Sequence, residues 1–592
     1  MKRIAPAKSG DIENIDVFRV GGIATLISLF SFLHFAKQGD LLLYGDAVAH
    51  INIARRVFDS QTPGLLGLGT VWLPLPHLLM IPFIWSRTMW QTGTGGSFPS
   101  MIAYVLGTVG VFRLVHGLLD TDVNQKDGVD YEAAVGAWAA ALVYAANPNL
   151  IYMQATAMTE SVYLALFVWA VVYFAEFLRS LPENKGPFTG QIYAARSPLM
   201  RCGWCVAGAE LTRYDGWFLA GVIGGTTVAI GLMRWLNRNL DQQGKEKQRK
   251  KVHDTRRLAV KFLLVIAIAP ILWLAYNRVV YGDALNFANG PYSARAIEQR
   301  VGAPNPALHS PRVAAIYFLK SAQLNMADGN WGRFWLGAAL LAAAISVRKL
   351  RLLSAPILLL WTPLVFYALS IAYGSVPIHV YTWWPFATFN QRYGLQLLPM
   401  FAVSAGMLIA WIYRSAHSTG HGGKVAALML VLIGVSYGFV WNAGPQCLQE
   451  AKKNWNIRHV LNSEVQQVVS RLPEGSRFLM DLGEHVGVMQ QAGIPLRQVI
   501  NNENHRPWMH PSDPEGLWER ALADPPRYVD YVVAFEGDAV DQSVNKNKLT
   551  EIVQIHASGQ PHARIYSTQI VPAAYPSQSP GQSPSESPNQ SR

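Results

Sequence analysis

The sequence predicts a mainly α-helical, polytopic membrane protein with about 11 transmembrane helices, surface helices in its first outer loop and a soluble α/β domain at its C-terminal end. Three observations predict it. Charged residues are 15% of the 592, against about 25% in soluble proteins, while 51% are hydrophobic. Aromatic residues reach 11%, which suits a chain whose many water–lipid boundaries take up amphipathic rings. Apolar runs close to the roughly 20 residues that cross about 30 Å of hydrocarbon recur along most of the chain. At roughly 150 residues per domain the length alone would suggest about four soluble domains. The composition excludes that reading, and a disordered or fibrous chain with it.

The runs lie at about 19–36, 98–118, 132–148, 158–178, 200–212, 214–235, 258–280, 331–347, 352–372, 394–414 and 424–442, with boundaries good to roughly two to four residues. A further apolar run, Val71 to Trp90, contains Pro74, Pro76 and Pro82, which remove backbone donors and break regular helix. It is expected to lie at the membrane surface or to be partly re-entrant, inside a first outer loop spanning 37–97.

Orientation follows from the placement of basic residues, because moving Lys and Arg across against the membrane potential is disfavoured. With the N-terminus in the cytoplasm, Lys2, Arg3, Lys8, Arg19 and the basic segment Arg234 to Arg257 share that side. The cytoplasmic loops then hold about 24 basic residues in about 100 positions, the opposite side about 12 in about 156. The net charge of +12 belongs to this part of the chain: before Ala443 there are about 37 basic against 22 acidic residues, and from Ala443 onward about 13 against 16. The run Lys245 to Lys251 is therefore read as a topology determinant facing lipid headgroups, not as a nucleic-acid site. The first span lacks a small-x-small cleavage site and reads as an uncleaved anchor.

An odd number of crossings leaves everything after Asn442 outside. Residues 1–442 form the transmembrane module, 443–571 the extracytoplasmic α/β domain and 572–592 a Pro/Ser/Gln-rich tail expected to be disordered. Strands are expected at Arg477 to Asp481, Tyr528 to Phe535 and Ala563 to Val571, with amphipathic helices near Ile457 to Leu472 and Glu515 to Leu522. Three cysteines, Cys202, Cys205 and Cys447, make no disulfide framework. Cys202 and Cys205 have redox spacing but sit in an apolar stretch, where packing between helices explains them. Asp481, Glu484, His485, His505 and His510 lack the tight spacing of a metal centre, and no metal ligands are assigned.

Ionisable residues at membrane depth are costly unless they act, so four polar clusters at the outer ends of the spans carry the chemistry. Tyr44-Gly-Asp46-Ala-Val-Ala-His50 opens a helical pattern that places Asp46 and His50 on one face; the plainer reading is an Asp that caps the helix. Asn147-Pro-Asn149 with Thr159 and Glu160 puts an acid in the first turn of a span, where the helix dipole alone favours it. Thr212-Arg213-Tyr214-Asp215-Gly216-Trp217 is charged between two apolar runs, and Arg213 and Asp215 could simply pair. Trp383-Trp384-Pro385-Phe386 precedes Asn390-Gln391-Arg392-Tyr393-Gly394. There, the planar fork of Arg392 suits phosphate oxygens, and Trp384 and Tyr393 offer faces for a lipid tail or a sugar ring.

Together these clusters resemble the GT-C superfamily of membrane glycosyltransferases that use polyprenyl-phosphate sugars, similar to the protein O-mannosyltransferase and aminoarabinose transferase families. The resemblance covers roughly residues 15–420 and rests on Gly45-Asp46 with Ala54-Arg55, on Trp72-Leu-Pro74-Leu-Pro76-His77, on Glu160, and on Arg392 to Gly394. The family's first loop often has two adjacent acids; here Asp46 is followed by Ala47. The resemblance implies a polyprenyl-phosphate sugar donor and residence in the bacterial inner membrane among its lipids; it does not carry over the acceptor, which is an unknown glycan, lipid or protein. No cofactor is required by the residues themselves; a divalent metal is the one the resemblance admits.

Sugar transfer from a lipid phosphate needs a base for the acceptor hydroxyl and positive groups for the departing phosphate. Asp46 is assigned as base with His50 beside it. Arg392 binds phosphate with Arg213 in reserve, and Glu160 and Asp215 complete the substrate contacts. A single displacement without a protein nucleophile would invert the sugar. The alternative class is a multi-spanning transporter or lipid flippase, which has less use for a roughly 60-residue outer loop with its own helices. A non-catalytic envelope anchor would need an apolar binding patch on residues 443–571, and no strong one is visible there.

Overall fold

A computed structural model describes residues 9–120, 131–181, 191–239, 245–290, 293–302, 304–374, 376–417, 420–483, 485–502 and 516–569. The tail expected at 572–592 lies outside them, as do Glu484, His505 and His510. The chain forms two compact units, residues 1–58 with 64–457, and residues 59–63 with 458–592.

The first unit is mainly helical, and every apolar run foreseen in the sequence coincides with a helix. These are Ser9–Gln38, Thr94–Leu119, Tyr131–Ala145, Glu160–Arg179, Gln191–Glu210, Asp215–Asn239, Lys245–Tyr281, Gly329–Leu350, the pair Ala355–Leu359 and Thr362–Tyr373, Leu398–His417 and Gly422–Ala443. Fewer are long and apolar enough to cross a membrane. Seven are, among the described residues, or eight if the pair bent by 41° around Leu360 and Trp361 counts as one. The expected eleven therefore exceeds what length and hydropathy support. The shortfall has physical causes: Tyr131–Ala145 has 15 residues, Gln191–Glu210 carries Arg196, Arg201 and Glu210, and Gly329–Leu350 carries Arg333, Arg348 and Lys349.

Apolar side chains such as Leu26, Phe30, Leu264, Ile271, Leu341 and Val431 stand exposed on these helices. An outward apolar surface of this kind is what hydrocarbon solvates, and the chain is an integral membrane protein. Val71 to Trp90 is broken as its prolines require, into Leu75–Met80, a 3-10 turn Ile81–Phe83 and Arg87–Gln91. The longest helix of this unit that was not foreseen is Pro311–Met326, which starts with Ser310 as cap and Pro at its first position; the shorter Pro148–Met153, Asn286–Asn289 and Ala294–Val301 were not foreseen either.

The second unit is built on a five-stranded sheet in the order β2-β1-β3-β5-β4, where β1 is Phe478–Met480, β2 Val499–Ile500, β3 Tyr531–Phe535, β4 Thr550–Ile555 and β5 Ala563–Ser567. The first three run parallel, and β5 is antiparallel to both of its neighbours. Leu479, Ile500, Trp518, Val532 and Tyr566 form its core. Strands β1, β3 and β5 fall where the sequence placed them. Strands β2 and β4 do not announce themselves, one being two residues long and the other half-buried or exposed at all but its last residue. The helix expected from Ile457 begins at Gln446 and runs to Val469.

Candidate active site

Two arginines organise a cluster drawn from six separate stretches of the first unit. Arg392 sits in a 3-10 helix, Gln391–Leu397, that leads directly into Leu398–His417. The turn before it is set by Asn390 at φ 55°, a left-handed conformation that Asn tolerates better than most residues. Gly394 is required for a different reason. A Cβ there would lie 2.5 Å from the Ser321 carbonyl carbon, so only glycine lets this segment press against Pro311–Met326. From that helix Ser321 Oγ and Asn325 Nδ2 both donate to the Gln391 carbonyl at 2.7 Å.

The Arg392 guanidinium meets three carboxylates: Nη2 lies 2.5 Å from Asp46 Oδ2, Nε 3.3 Å from Glu160 Oε1 and Nη1 3.8 Å from Glu450 Oε1. Arg213 approaches the same Glu160 oxygen at 3.3 Å and Asp215 Oδ1 at 3.4 Å. It also donates to the Tyr367 hydroxyl at 2.9 Å and to Thr159 Oγ1 at 3.1 Å. Glu160 thus bridges the two cations, and the Tyr393 ring lies 5.0 Å from each guanidinium carbon. A second ring, Tyr44, flanks Arg392 at the same distance. These are charge-assisted and cation–π contacts in a largely dry setting, where they are strong.

Accessibility separates the four acids. The side chains of Glu160, Asp215 and Glu450 are 1%, 2% and 6% exposed, whereas Asp46 is 38% exposed. Asp46 also does not cap its helix, Gly45–Arg56, whose N-cap position Tyr44 supplies no side-chain bond. The capping explanation therefore does not account for it. Glu160 does sit in the first turn of its helix, but its carboxylate is turned onto the arginines, and its buried Oε2 accepts no hydrogen bond. Arg213 and Asp215 pair as expected, yet Arg213 is shared with Glu160 and Tyr367. Their turn is tight: a Cβ on Gly216 would meet the Ala209 carbonyl oxygen at 2.5 Å.

The structure brings together Asp46, Glu160, Arg213, Asp215, Arg392 and Tyr393, and sets two other sequence candidates apart. His50 is buried and pairs with His77, Nδ1 to Nε2 at 2.9 Å, beneath the Trp72 ring at 4.8 Å. Burial, helped by the charges of Arg392 and Arg213, pushes the His50 imidazole down to about 3. Burial also holds His77 well below the usual histidine range, so both rings are neutral at ordinary pH. Trp384 is exposed, its carbonyl accepting from the Tyr317 hydroxyl at 2.8 Å.

The remaining residues of the four clusters have structural partners. Asn147 caps Pro148–Met153 and, with Asn149, donates to the Asn325 carbonyl. Arg55 holds the Pro-rich segment through the carbonyls of Ile84 and Trp85. That segment in turn bonds to the Arg213 turn, Tyr214 donating to the Val71 carbonyl and Leu75 N–H to the Leu211 carbonyl. Cys202 and Cys205 are free thiols, the first buried.

Glu450 was missed. It lies on the helix Gln446–Val469 beyond the last apolar run, a region the sequence assigns to the soluble domain. A signal was present, since Cys447, Glu450, Ala451 and Asn454 share one helix face by their 3-4 spacing, and three of the four are small or amide-bearing. Tyr367, inside the apolar run 352–372, gave none. Among the described residues no group of three or more His, Cys, Asp or Glu side chains could hold a metal ion. Within the cluster each carboxylate already faces a guanidinium.

No protein-family model matches the chain, and no curated protein does. Among solved structures it is similar to ArnT from Cupriavidus metallidurans bound to undecaprenyl phosphate, at 11% identity and a TM-score of 0.49 over 93% of this chain and 99% of that one. It is also similar to the Archaeoglobus fulgidus oligosaccharyltransferase in complex with Zn and sulfate, at 12% identity and a TM-score of 0.43 over 93% of this chain and 73% of that one. Both are GT-C membrane glycosyltransferases. Overlap this loose leaves the functional reading to the geometry of the cluster.

Proposed function

We propose that this protein is an integral membrane glycosyltransferase that moves a sugar from a polyprenyl-phosphate donor to an acceptor on the extracytoplasmic side, with inversion. One observation carries the reading: the single accessible carboxylate of the cluster, Asp46, is the one nearest the buried guanidinium of Arg392, at 2.5 Å against 3.3 and 3.8 Å for Glu160 and Glu450. Four carboxylates already face two guanidiniums, so a lipid phosphate binds best by exchange, taking the place of Asp46 on Arg392. The exchange both fixes the leaving group and frees the base.

The freed Asp46 carboxylate takes the proton of the acceptor hydroxyl, whose oxygen attacks the anomeric carbon. The carbon–oxygen bond to phosphate breaks on the far side, and the phosphate leaves with its electron pair onto Arg392. Arg213 holds the bridging Glu160 and so stands behind Arg392. Glu160 Oε2, buried and without a hydrogen-bond donor, suits a sugar hydroxyl, since an unmet acceptor there is costly until a substrate supplies one. Asp215 keeps Arg213 in place. Neutral His50 acts as a hydrogen-bonding neighbour on the Asp46 helix, not as an acid. No step is routed through a metal. On the basis of the Lys and Arg distribution the N-terminus lies in the cytoplasm and the second unit outside; the bacterial inner membrane follows from the resemblance to the polyprenyl-phosphate enzymes.

Asp46→Asn in purified protein reconstituted in lipid, given a panel of polyprenyl-phosphate sugars, tests the reading. Wild type should consume at least one donor and release free lipid phosphate. The variant should lose about 10²–10⁴-fold in turnover, the contribution of a general base, with its folding intact. Wild-type turnover by the variant removes Asp46 from the role, and no donor consumption by wild type favours transport.

A further inference from the structure

Resting on this reading, the structure assigns a positioning role to the first turns of the helix Gln446–Val469: we infer that Glu450 and Asn454, one turn apart on it, set the distance between the base and the phosphate-binding arginine. The two groups come from opposite ends of the first unit, residue 46 and residue 392. Both of the backbone segments that carry them end in helix N-termini whose N–H groups have no intrahelical partner. Each takes its partner from this one helix.

Glu450 Oε1 accepts the Gln391 N–H at 3.2 Å and Oε2 the Arg392 N–H at 3.1 Å. It therefore caps the 3-10 helix of Arg392 from outside the local sequence, while also lying 3.8 Å from the Arg392 side chain. Asn454 Oδ1 accepts the Gly45 N–H at 2.8 Å, at the start of the Asp46 helix, which has no side-chain cap of its own. Tyr44, between them, donates to the Cys447 carbonyl at 2.8 Å and to Glu450 Oε2 at 3.2 Å. Cys447 N–H in turn donates to Asn149 Oδ1 at 2.8 Å.

The residues at 447, 450 and 454 lie on one face of a rigid rod with a rise of about 1.5 Å per residue, so the spacing of the two caps is fixed by helix geometry and not by either loop. Glu450 and Asn454 need not touch substrate; they act through Arg392 and Asp46. A shift of about 1 Å in reacting groups costs roughly 10²-fold in rate. Losing a cap should therefore appear in the chemical step more than in donor affinity.

Steady-state kinetics and a distance measurement test this together. Glu450→Ala and Asn454→Ala should each lower kcat by about 10–10²-fold with the donor KM changed less than about 3-fold. Glu450→Gln, which keeps one carbonyl oxygen for one of the two N–H groups, should recover part of the loss. Independently of turnover, nitroxides on Val57→Cys, at the end of the Asp46 helix, and on exposed Ala387→Cys report the separation of the two segments, in a Cys205→Ser background that removes the partly exposed thiol. One narrow distance distribution should broaden in both alanine variants and narrow again in Glu450→Gln. An unchanged distribution in both alanine variants overturns the inference whatever the substrate proves to be. So does an active wild type whose variants lose donor affinity and not kcat. A wild type inactive on every donor removes the proposed function alone, because the distance arm still decides the positioning.

Discussion

The two units bury ionisable groups in opposite ways. In the first, Glu160, Asp215 and Glu450 are nearly sealed from solvent and each faces an arginine, which cannot give up its proton. In the second, the ends of β1 and β3 hold His485 and Asp538 without a salt bridge among the described contacts. His485 stacks on Phe535 at 3.6 Å and shares a hydrogen bond with Asn462 at 2.8 Å. Asp538 caps Ala539–Ser543. Burial pushes the His485 imidazole down to about 4 and the Asp538 carboxyl up to about 6, so each is drawn toward its neutral form. A buried charge survives by pairing, or else the group sheds it. The first solution keeps the charge; the second makes stability depend on pH.

Removing a partner should break this contrast most visibly in the first unit. Arg392→Met leaves Asp46, Glu160 and Glu450 without their shared cation, and stability should fall by about 3–5 kcal/mol, measured by thermal or denaturant unfolding in detergent. Turnover should vanish as well. A variant as stable as wild type would show that these acids are not held as charges, and the contrast would dissolve.

The pH dependence sharpens the second half. His485 has a folded value below its unfolded one near 6.5, so the unfolded chain gains the proton first and stability is lost as pH falls from about 6.5 to 4. Asp538 has a folded value above its unfolded one near 3.8; its contribution is full below about 3.8 and is lost as pH rises through about 6. The two slopes oppose each other over one window. His485→Phe should leave the Asp538 slope, so that amide exchange protection of β1 and β3 in the full chain rises on acidification from about 6 to 4. Asp538→Asn should make it fall, each by on the order of 1–2 kcal/mol after allowing for partial exposure. Identical slopes in both variants would mean that neither group titrates as placed.

The smallest effect belongs to the exposed pair. Lys546 Nζ lies 2.7 Å from Asp541 Oδ1, with side chains 39% and 18% exposed. Lys546→Ala should cost below about 1 kcal/mol and fade with added salt. A larger loss would place this pair with the buried arginines.

Much of the helical scaffold is legible in the chain, since an apolar run has a length and a composition that hydrocarbon reads directly. The break at Val71 to Trp90 is legible for the same kind of reason, proline lacking a donor. The strands β1, β3 and β5 show their alternating or continuous apolar character, whereas β2 and β4 are held by their neighbours and show none. Within the cluster, Asp46, Glu160, Arg213, Asp215 and Arg392 stand out because charge at membrane depth is rare. Glu450 does not, because a lone acid on a helix past the last span looks like any solvated residue until the fold turns that face inward.

Composition and periodicity, which are local sums over residues and need no partner, by themselves determined that the chain spans a membrane, where its helices lie and which polar residues are out of place among them. Which of those residues meet was decided only by tertiary structure. The pairing of residue 46 with residue 392, the neutral His50–His77 pair and the capping of two distant segments by one helix depend on contacts between parts of the chain separated by 27 to 409 residues, and no local pattern encodes a distance.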